Sequence, residues 1–336
     1  MNLISEISTG AKIFQTHVFG TRRPLAISLS VTDRCNQRCE YCDIPLRNMR
    51  DLSTPQLVGI INELGEMGCE RIVMTGGEAS LRSDIGTLID ASKSHGIFTS
   101  MNSNGLLARR KIEELKKLDL VFISLDGPKE IHDIQRNMKD AFEKALEAIK
   151  IFRDLGIKVW TFTPLTKGDL PFVEWVVRKA EELDFYCDFG NLSDHYLAGD
   201  RLDPLYPDKE DHRRTVDWLL KEKQTNRHIG ASVATLEFVR DTYRLNGPYE
   251  KFPRCYSGKL FCYIDTNGDC YSCFDLRGRP TARGGNCVRD GVKKAFYSLP
   301  DMTEARCPEC CCNSAIEINF LGDLHPKSVS NILRWV

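Results

Sequence analysis

Ala26-Ile27-Ser28-Leu29-Ser30-Val31, followed closely by Cys35-Asn36-Gln37-Arg38-Cys39-Glu40-Tyr41-Cys42, is the stretch on which the reading of this chain turns. The first six residues form an apolar, strand-like segment, and the three cysteines stand in the loop after it. A 4Fe-4S cube has four irons and normally takes four thiolates, so a compact loop that supplies three leaves one iron open to a non-protein ligand. Zinc sites, by contrast, usually close a tetrahedron with two pairs of ligands, and no histidine lies near Cys35, Cys39 and Cys42.

Outward from this loop, β-branched apolar runs alternate with helix-period stretches. Strands are predicted at 26-31, 71-75, 97-101, 120-125, 157-163 and 185-189, and helices near 54-67, 84-95, 109-117, 139-155 and 170-183. Ala141, Ala145, Ile149 and Phe152, spaced by three or four, mark the clearest helix; Pro55 and Gly156 suit a first turn and a C-cap. Six strands alternating with helices predict an α/β chain with a parallel sheet and right-handed crossovers. Periodicity does not choose between a partial barrel and a doubly wound sheet, but in both the functional groups gather at the C-terminal strand ends.

Those ends carry Thr75-Gly76-Gly77-Glu78, Asn102-Ser103-Asn104-Gly105 and Ser124-Leu125-Asp126-Gly127. Each alone is ordinary turn chemistry. In order behind CxxxCxxC, with Tyr41 before the third cysteine, they resemble the signature of the radical S-adenosylmethionine (radical SAM) enzymes. The resemblance implies an open (β/α)6 relative of the TIM barrel. It implies a 4Fe-4S cluster on Cys35, Cys39 and Cys42, whose free iron is chelated by S-adenosylmethionine and whose electron cleaves it to a 5'-deoxyadenosyl radical. It further implies cofactor contacts from Tyr41, Gly76, Gly77, Glu78, Ser103, Asn104, Ser124 and Asp126, and an electron donor such as flavodoxin or ferredoxin. The run Ile131-His132-Asp133-Ile134-Gln135-Arg136 resembles a further family pattern that would bring Arg136 to the cofactor, although an arginine in such a place is more often solvated.

Past residue 190 the alternation stops. Helical patterns at 209-224 and 232-244 bridge to a cysteine-rich end, so four regions are expected: 1-25, the core 26-190, a bridge 191-250 and a module 251-336. Twelve residues separate Cys255 from Gly268 and four separate Gly268 from Cys273, with Asn267-Gly268 giving a strong hairpin signal. This resembles a SPASM or twitch extension, which implies an auxiliary 4Fe-4S cluster on Cys255, Cys273, Cys307 and Cys310. Cys262, Cys270, Cys287, Cys311 and Cys312 are further thiols that could replace one of these ligands or bind a second cluster, whereas Cys69 and Cys187 read as small buried hydrophobes.

Composition sets the limits. With 336 residues and 42% of them hydrophobic, the chain buries a large core without staples, so its 14 cysteines speak for metal in a reducing, cytoplasmic setting rather than disulfides. A net charge of -1 gives no field for nucleic acid, no apolar run is long enough for a transmembrane segment, and no secretory signal is present. About 25 residues precede the first strand, little for a peptide-recognition or cobalamin domain. Ile13 to Pro24, apolar with a basic end, faintly resembles a segment of radical enzymes acting on hopanoid lipids, and reads more simply as a helix against the barrel. Two functions are thus carried forward. One is a radical enzyme acting on a small molecule, lipid precursor or peptide with auxiliary-cluster help; the other is a non-catalytic iron-sulfur carrier or redox sensor. No catalytic base or hydrogen donor stands out.

Overall fold

The computed structural model describes residues 3-47, 49-192, 205-243, 253-303, 310 and 312-332. Among these residues nine strands make one open sheet in the order β6-β5-β4-β3-β2-β1-β7-β8-β9. The strands are β1 Ala26–Thr32, β2 Arg71–Gly76, β3 Phe98–Ser103, β4 Leu120–Ser124, β5 Lys158–Leu165, β6 Tyr186–Asn191, β7 Phe261–Ile264, β8 Asp269–Tyr271 and β9 Arg283–Asn286. The first six are parallel and lie where the alternation predicts them, and the sheet stays open because β6 does not return to the other edge.

Among the described residues thirteen α-helices accompany them: α1 Leu3–Phe19, α2 Thr54–Glu66, α3 Ile85–Ser94, α4 Ile112–Leu115, α5 Lys129–Gln135, α6 Ala141–Asp154, α7 Leu170–Leu183, α8 Lys209–Glu222, α9 Val233–Thr242, α10 Cys287–Asp290, α11 Val292–Tyr297, α12 Asn313–Gly322 and α13 Pro326–Ile332. Alternate residues of the strands, among them Leu29, Met74, Met101, Ile123, Val159 and Phe189, pack against the apolar stripes of α2, α3, α6 and α7 to form the main core. Side chains of a strand alternate between faces, so the intervening residues, such as Ser28, Thr75, Asn102, Phe122, Ser124, Phe162 and Asp188, line the inner wall of the partial barrel.

The C-terminal region continues this sheet. β7 runs parallel to β1, with Ala26 opposite Phe261 and Leu29 opposite Ile264, and β8 returns antiparallel through the turn at Gly268 (φ +86°). Polar bonds secure the joint: Arg47 pairs with Asp265, Thr266 donates to Asp33 (2.7 Å), and the Ser30 and Thr266 hydroxyls lie 2.8 Å apart. The hairpin is therefore fixed to the cysteine loop as well as to the barrel edge.

The segment 13-24 is in large part helix, as the simpler reading holds. Thr9 and Lys12 of α1 bond Glu70, just ahead of β2, which puts α1 at the end of the barrel away from the cysteine loop. Asp169, before α7, is buried and accepts from the Thr166 amide (3.1 Å) and the Thr215 hydroxyl (2.8 Å). Burial lifts its pKa to about 7. A native pKa above the unfolded one means that this acid stabilises most at low pH, and its contribution is lost as pH rises from about 4 to about 7. Asp169→Asn, which can still accept from Thr166 and donate to Thr215, is expected to flatten the melting temperature over that window in thermal scans and to raise it at pH 8.

Candidate functional site

The cysteine loop leaves β1 at its C-terminal end and is pinned from below by β2. Gly77 N–H donates to Thr32 O (2.7 Å) and Glu78 N–H to Arg34 O (2.9 Å). A Cβ on Gly76 would stand 2.1 Å from Thr32 O, and one on Gly77 2.3 Å from Arg34 O, so only glycine permits this approach. Gly76 also has φ +123°, a region closed to side-chain-bearing residues. The glycines thus bring strand end and loop together.

Glu78, 1% exposed, ties three strand ends into one unit. Its carboxylate accepts from the Asn104 amide (2.7 Å), the Ser103 hydroxyl (3.0 Å) and the Ser80 amide (3.2 Å). The Asn104 side chain then donates to Asn36 inside the cysteine loop (2.8 Å). Burial raises the Glu78 pKa, and these donors oppose the rise. Glu78, Ser103 and Asn104 therefore hold the platform under the cysteines.

Arg136 departs from the solvated expectation. It is 8% exposed and forms a two-point ion pair with Asp126, itself 2% exposed, with both N···O distances 2.6 Å. Its guanidinium lies over the Tyr41 ring, 5.4 Å from the centroid, and its Nη1 is 3.8 Å from Cys39 Sγ. The Tyr41 hydroxyl donates to Asp126 (3.2 Å). The Asp126 amide donates to His132 Nδ1 (3.1 Å), and burial lowers the His132 pKa to about 4, so that ring is neutral near pH 7. Periodicity missed the burial of Arg136 because α5, a single short helix, turns it inward beneath the loop.

Cys35, Cys39 and Cys42 are each partly exposed, and none is in a disulfide. Burial pushes all three thiols up, Cys42 to about 12, so they become thiolates only against a strong positive charge such as a metal. Their sulfurs do not converge on a single ion. Among the described residues, ligand atoms from three side chains come within 4.8 Å of one another only at Asp133, Asp140 and Glu143, where Lys129 bonds all three. Three soft ligands spread around a loop suit a polynuclear iron-sulfur centre better than a zinc ion. Tyr41 also packs with Leu192, Leu205 and Tyr206, an apolar wall beside the loop.

The remaining cysteines fall into two groups. Cys273 is buried in an apolar cluster against which Cys312 packs, and burial, then Asp275, then the charges of Cys312 and Cys310 raise its pKa. Cys262, Cys270 and Cys287 lie on the helix-facing side of the sheet in the main core, with Cys262 and Cys270 sulfurs 3.7 Å apart. Cys255 Sγ is 3.1 Å from the Ser257 hydroxyl. Cys307 and Cys311 lie outside the described residues. Cys69 and Cys187 are core residues.

Residues 29–171, the span from β1 into α7, match the model of the Radical SAM superfamily. These residues are a Radical SAM domain. The mycofactocin maturase MftC of Mycolicibacterium smegmatis is 28% identical over 81% of this chain and 69% of its own length; Fe-coproporphyrin III synthase of Methanosarcina barkeri is 28% identical over 68% and 58%. The chain thus spans about three fifths to two thirds of these relatives. In fold it is similar to Streptococcus suis SuiB in the crystal structure with precursor peptide SuiA, with TM-score 0.68, 17% identity, and coverage of 96% and 78%. This radical SAM protein is an enzyme with a cysteine-rich C-terminal region, which removes the carrier alternative, and its family implies a 4Fe-4S cluster and S-adenosylmethionine. Among the described residues no helix is long and apolar enough to cross a membrane.

Proposed function

We propose that this enzyme uses S-adenosylmethionine, bound at a 4Fe-4S cluster on Cys35, Cys39 and Cys42, to abstract a hydrogen atom from a small molecule, lipid precursor or peptide held inside the partial barrel. The cluster and cofactor together supply the 5'-deoxyadenosyl radical when they are bound and reduced. The observation that carries the reading is the single unit formed by the cysteine loop, Gly76-Gly77-Glu78 and the Tyr41-Asp126-Arg136 group. Rigid support of this kind keeps a reactive centre in one geometry. Arg136 offers a positive charge beside Cys39 and favours thiolate there, while Tyr41 and its apolar neighbours exclude water from one side. Ser124 faces the inner wall above the platform and is a candidate cofactor contact.

Cys273, Cys310 and Cys312, with Cys255 and Cys307, are the candidate ligands of one auxiliary 4Fe-4S cluster that serves in electron transfer or substrate binding. Proximity brings Cys312 into this set beside Cys310. The contact between Cys262 and Cys270 on the far side of the sheet speaks against their serving the same cluster. Names of relatives point in two directions for substrate, since one synthase is named for Fe-coproporphyrin III and SuiB is bound to a precursor peptide.

The test is anaerobic reconstitution with iron and sulfide, followed by S-adenosylmethionine and dithionite or a reduced flavodoxin or ferredoxin. We expect about eight irons per chain, as two four-iron clusters require, and 5'-deoxyadenosine by chromatography. Iron-loaded protein that forms none overturns the proposal.

A further inference from the structure

On the inner wall, Ser124 of β4, Phe162 of β5 and Asp188 of β6 stand opposite one another in register, so they form one row near the C-terminal ends of the strands. Phe162 is 38% exposed, unusual for an aromatic side chain inside a fold. The Asp188 carboxylate accepts through Oδ1 from Asn313 Nδ2 (3.0 Å) and from the next amide, Phe189 N (2.9 Å). Among the described residues it forms no ion pair. Asn313, the first residue of α12, is 3% exposed; its Nδ2 also donates to Phe189 O, and its Oδ1 is buried without a partner.

The unpartnered Asn313 oxygen belongs to this row. It lies 3.5 Å from where a Gly190 Cβ would be, and the Phe162 ring lies 2.7 Å from the same point. Gly190 is on the face of β6 that carries Asp188. The unpartnered Asn313 oxygen and the exposed Phe162 ring therefore meet over one glycine, and the Asp188 carboxylate is hydrogen-bonded to the same amide; the charge of buried Lys223, which donates to Ile229 O, reaches Asp188 without forming an ion pair with it. On the inner faces of the six parallel strands the only basic residues are Arg71 and Lys158, both at the opposite ends of their strands. A buried acceptor without a donor is costly, on the order of 1–3 kcal/mol, so the arrangement favours a ligand that brings N–H groups.

We propose that Asp188 and Asn313, beside Phe162, form a substrate-binding subsite that takes a cationic N–H donor group such as an amidinium, guanidinium or ammonium. The proposal rests on the barrel interior being the substrate chamber of the radical enzyme described above. It deepens that reading by excluding a polyanion from this wall and assigning it the basic part of the substrate. The carboxylate supplies charge, the amide oxygen a second acceptor, and the ring a face over which a cation is favourable.

Benzamidinium chloride is a suitable probe, with sodium benzoate and benzyl alcohol as anionic and neutral controls of like size. Calorimetric titration of the reconstituted full chain with S-adenosylmethionine bound should show benzamidinium binding and neither control. Asp188→Asn keeps an acceptor for Asn313, so its melting temperature should stay near that of the wild type while benzamidinium binds about tenfold more weakly or worse. Phe162→Leu should weaken it less. Absence of benzamidinium binding, equal binding of benzoate, or unchanged affinity in Asp188→Asn overturns the subsite. Absence of 5'-deoxyadenosine from the reconstituted wild type would instead count against the radical reading, so the two failures are separable.

Discussion

Replacing Cys35, Cys39 and Cys42 together by alanine is expected to bring 5'-deoxyadenosine formation below detection while the fold survives. The loop has no disulfide to lose. Its path is held by backbone bonds from Gly77 and Glu78 and by the Asn104–Asn36 bond, none of which uses a cysteine sulfur. Iron in the reconstituted triple variant should fall from about eight to about four per chain, as expected if a second four-iron cluster is bound in the C-terminal region. Far-UV circular dichroism should remain that of the wild type. A triple variant that still cleaves the cofactor would mean that the radical is made elsewhere, and one with no iron at all would remove the auxiliary cluster.

The second large effect concerns Asp126 and Arg136. Both are buried and bound at two points, so Asp126→Ala strands a guanidinium beneath the cysteine loop. Breaking one side of such a pair costs about 3–5 kcal/mol, and denaturant titration should show a loss of that size. Removing both charges with Asp126→Leu and Arg136→Met is expected to restore most of the stability, because no buried charge is left to desolvate. Cofactor cleavage should not recover with it. Tyr41 would lose the hydrogen bond and the cation over its ring, and Cys39 its positive neighbour, so the double variant should form 5'-deoxyadenosine at about a tenth of the wild-type rate or less. Full activity in a stable double variant would reduce the pair to scaffolding.

Much of the site was legible because it is local. CxxxCxxC, Gly76-Gly77-Glu78 and the strand-end polar residues are short segments, and each lies at the end of a strand that an apolar run announces. Roles were less legible than positions. Glu78 and Ser103, which the family resemblance makes cofactor contacts, also bond to each other under the loop, a support that no motif announces. Arg136 resembles a surface residue and is buried, since spacing along a chain reports the face of an element and not what covers that face.

Alternation of apolar runs and helix periods by itself determined the six parallel strands, their order along the chain and the loop that carries Cys35, Cys39 and Cys42. Tertiary structure alone decided that β7 lies parallel against β1, that Cys273 and Cys312 share one apolar cluster while Cys262, Cys270 and Cys287 sink into the main core, and that Asn313 reaches Asp188 across 125 positions of sequence. The physical reason is that periodicity is set by each residue's neighbours within a turn or two. Pairing of distant strands and docking of α12 are set by which apolar faces and polar atoms can be satisfied only by one another.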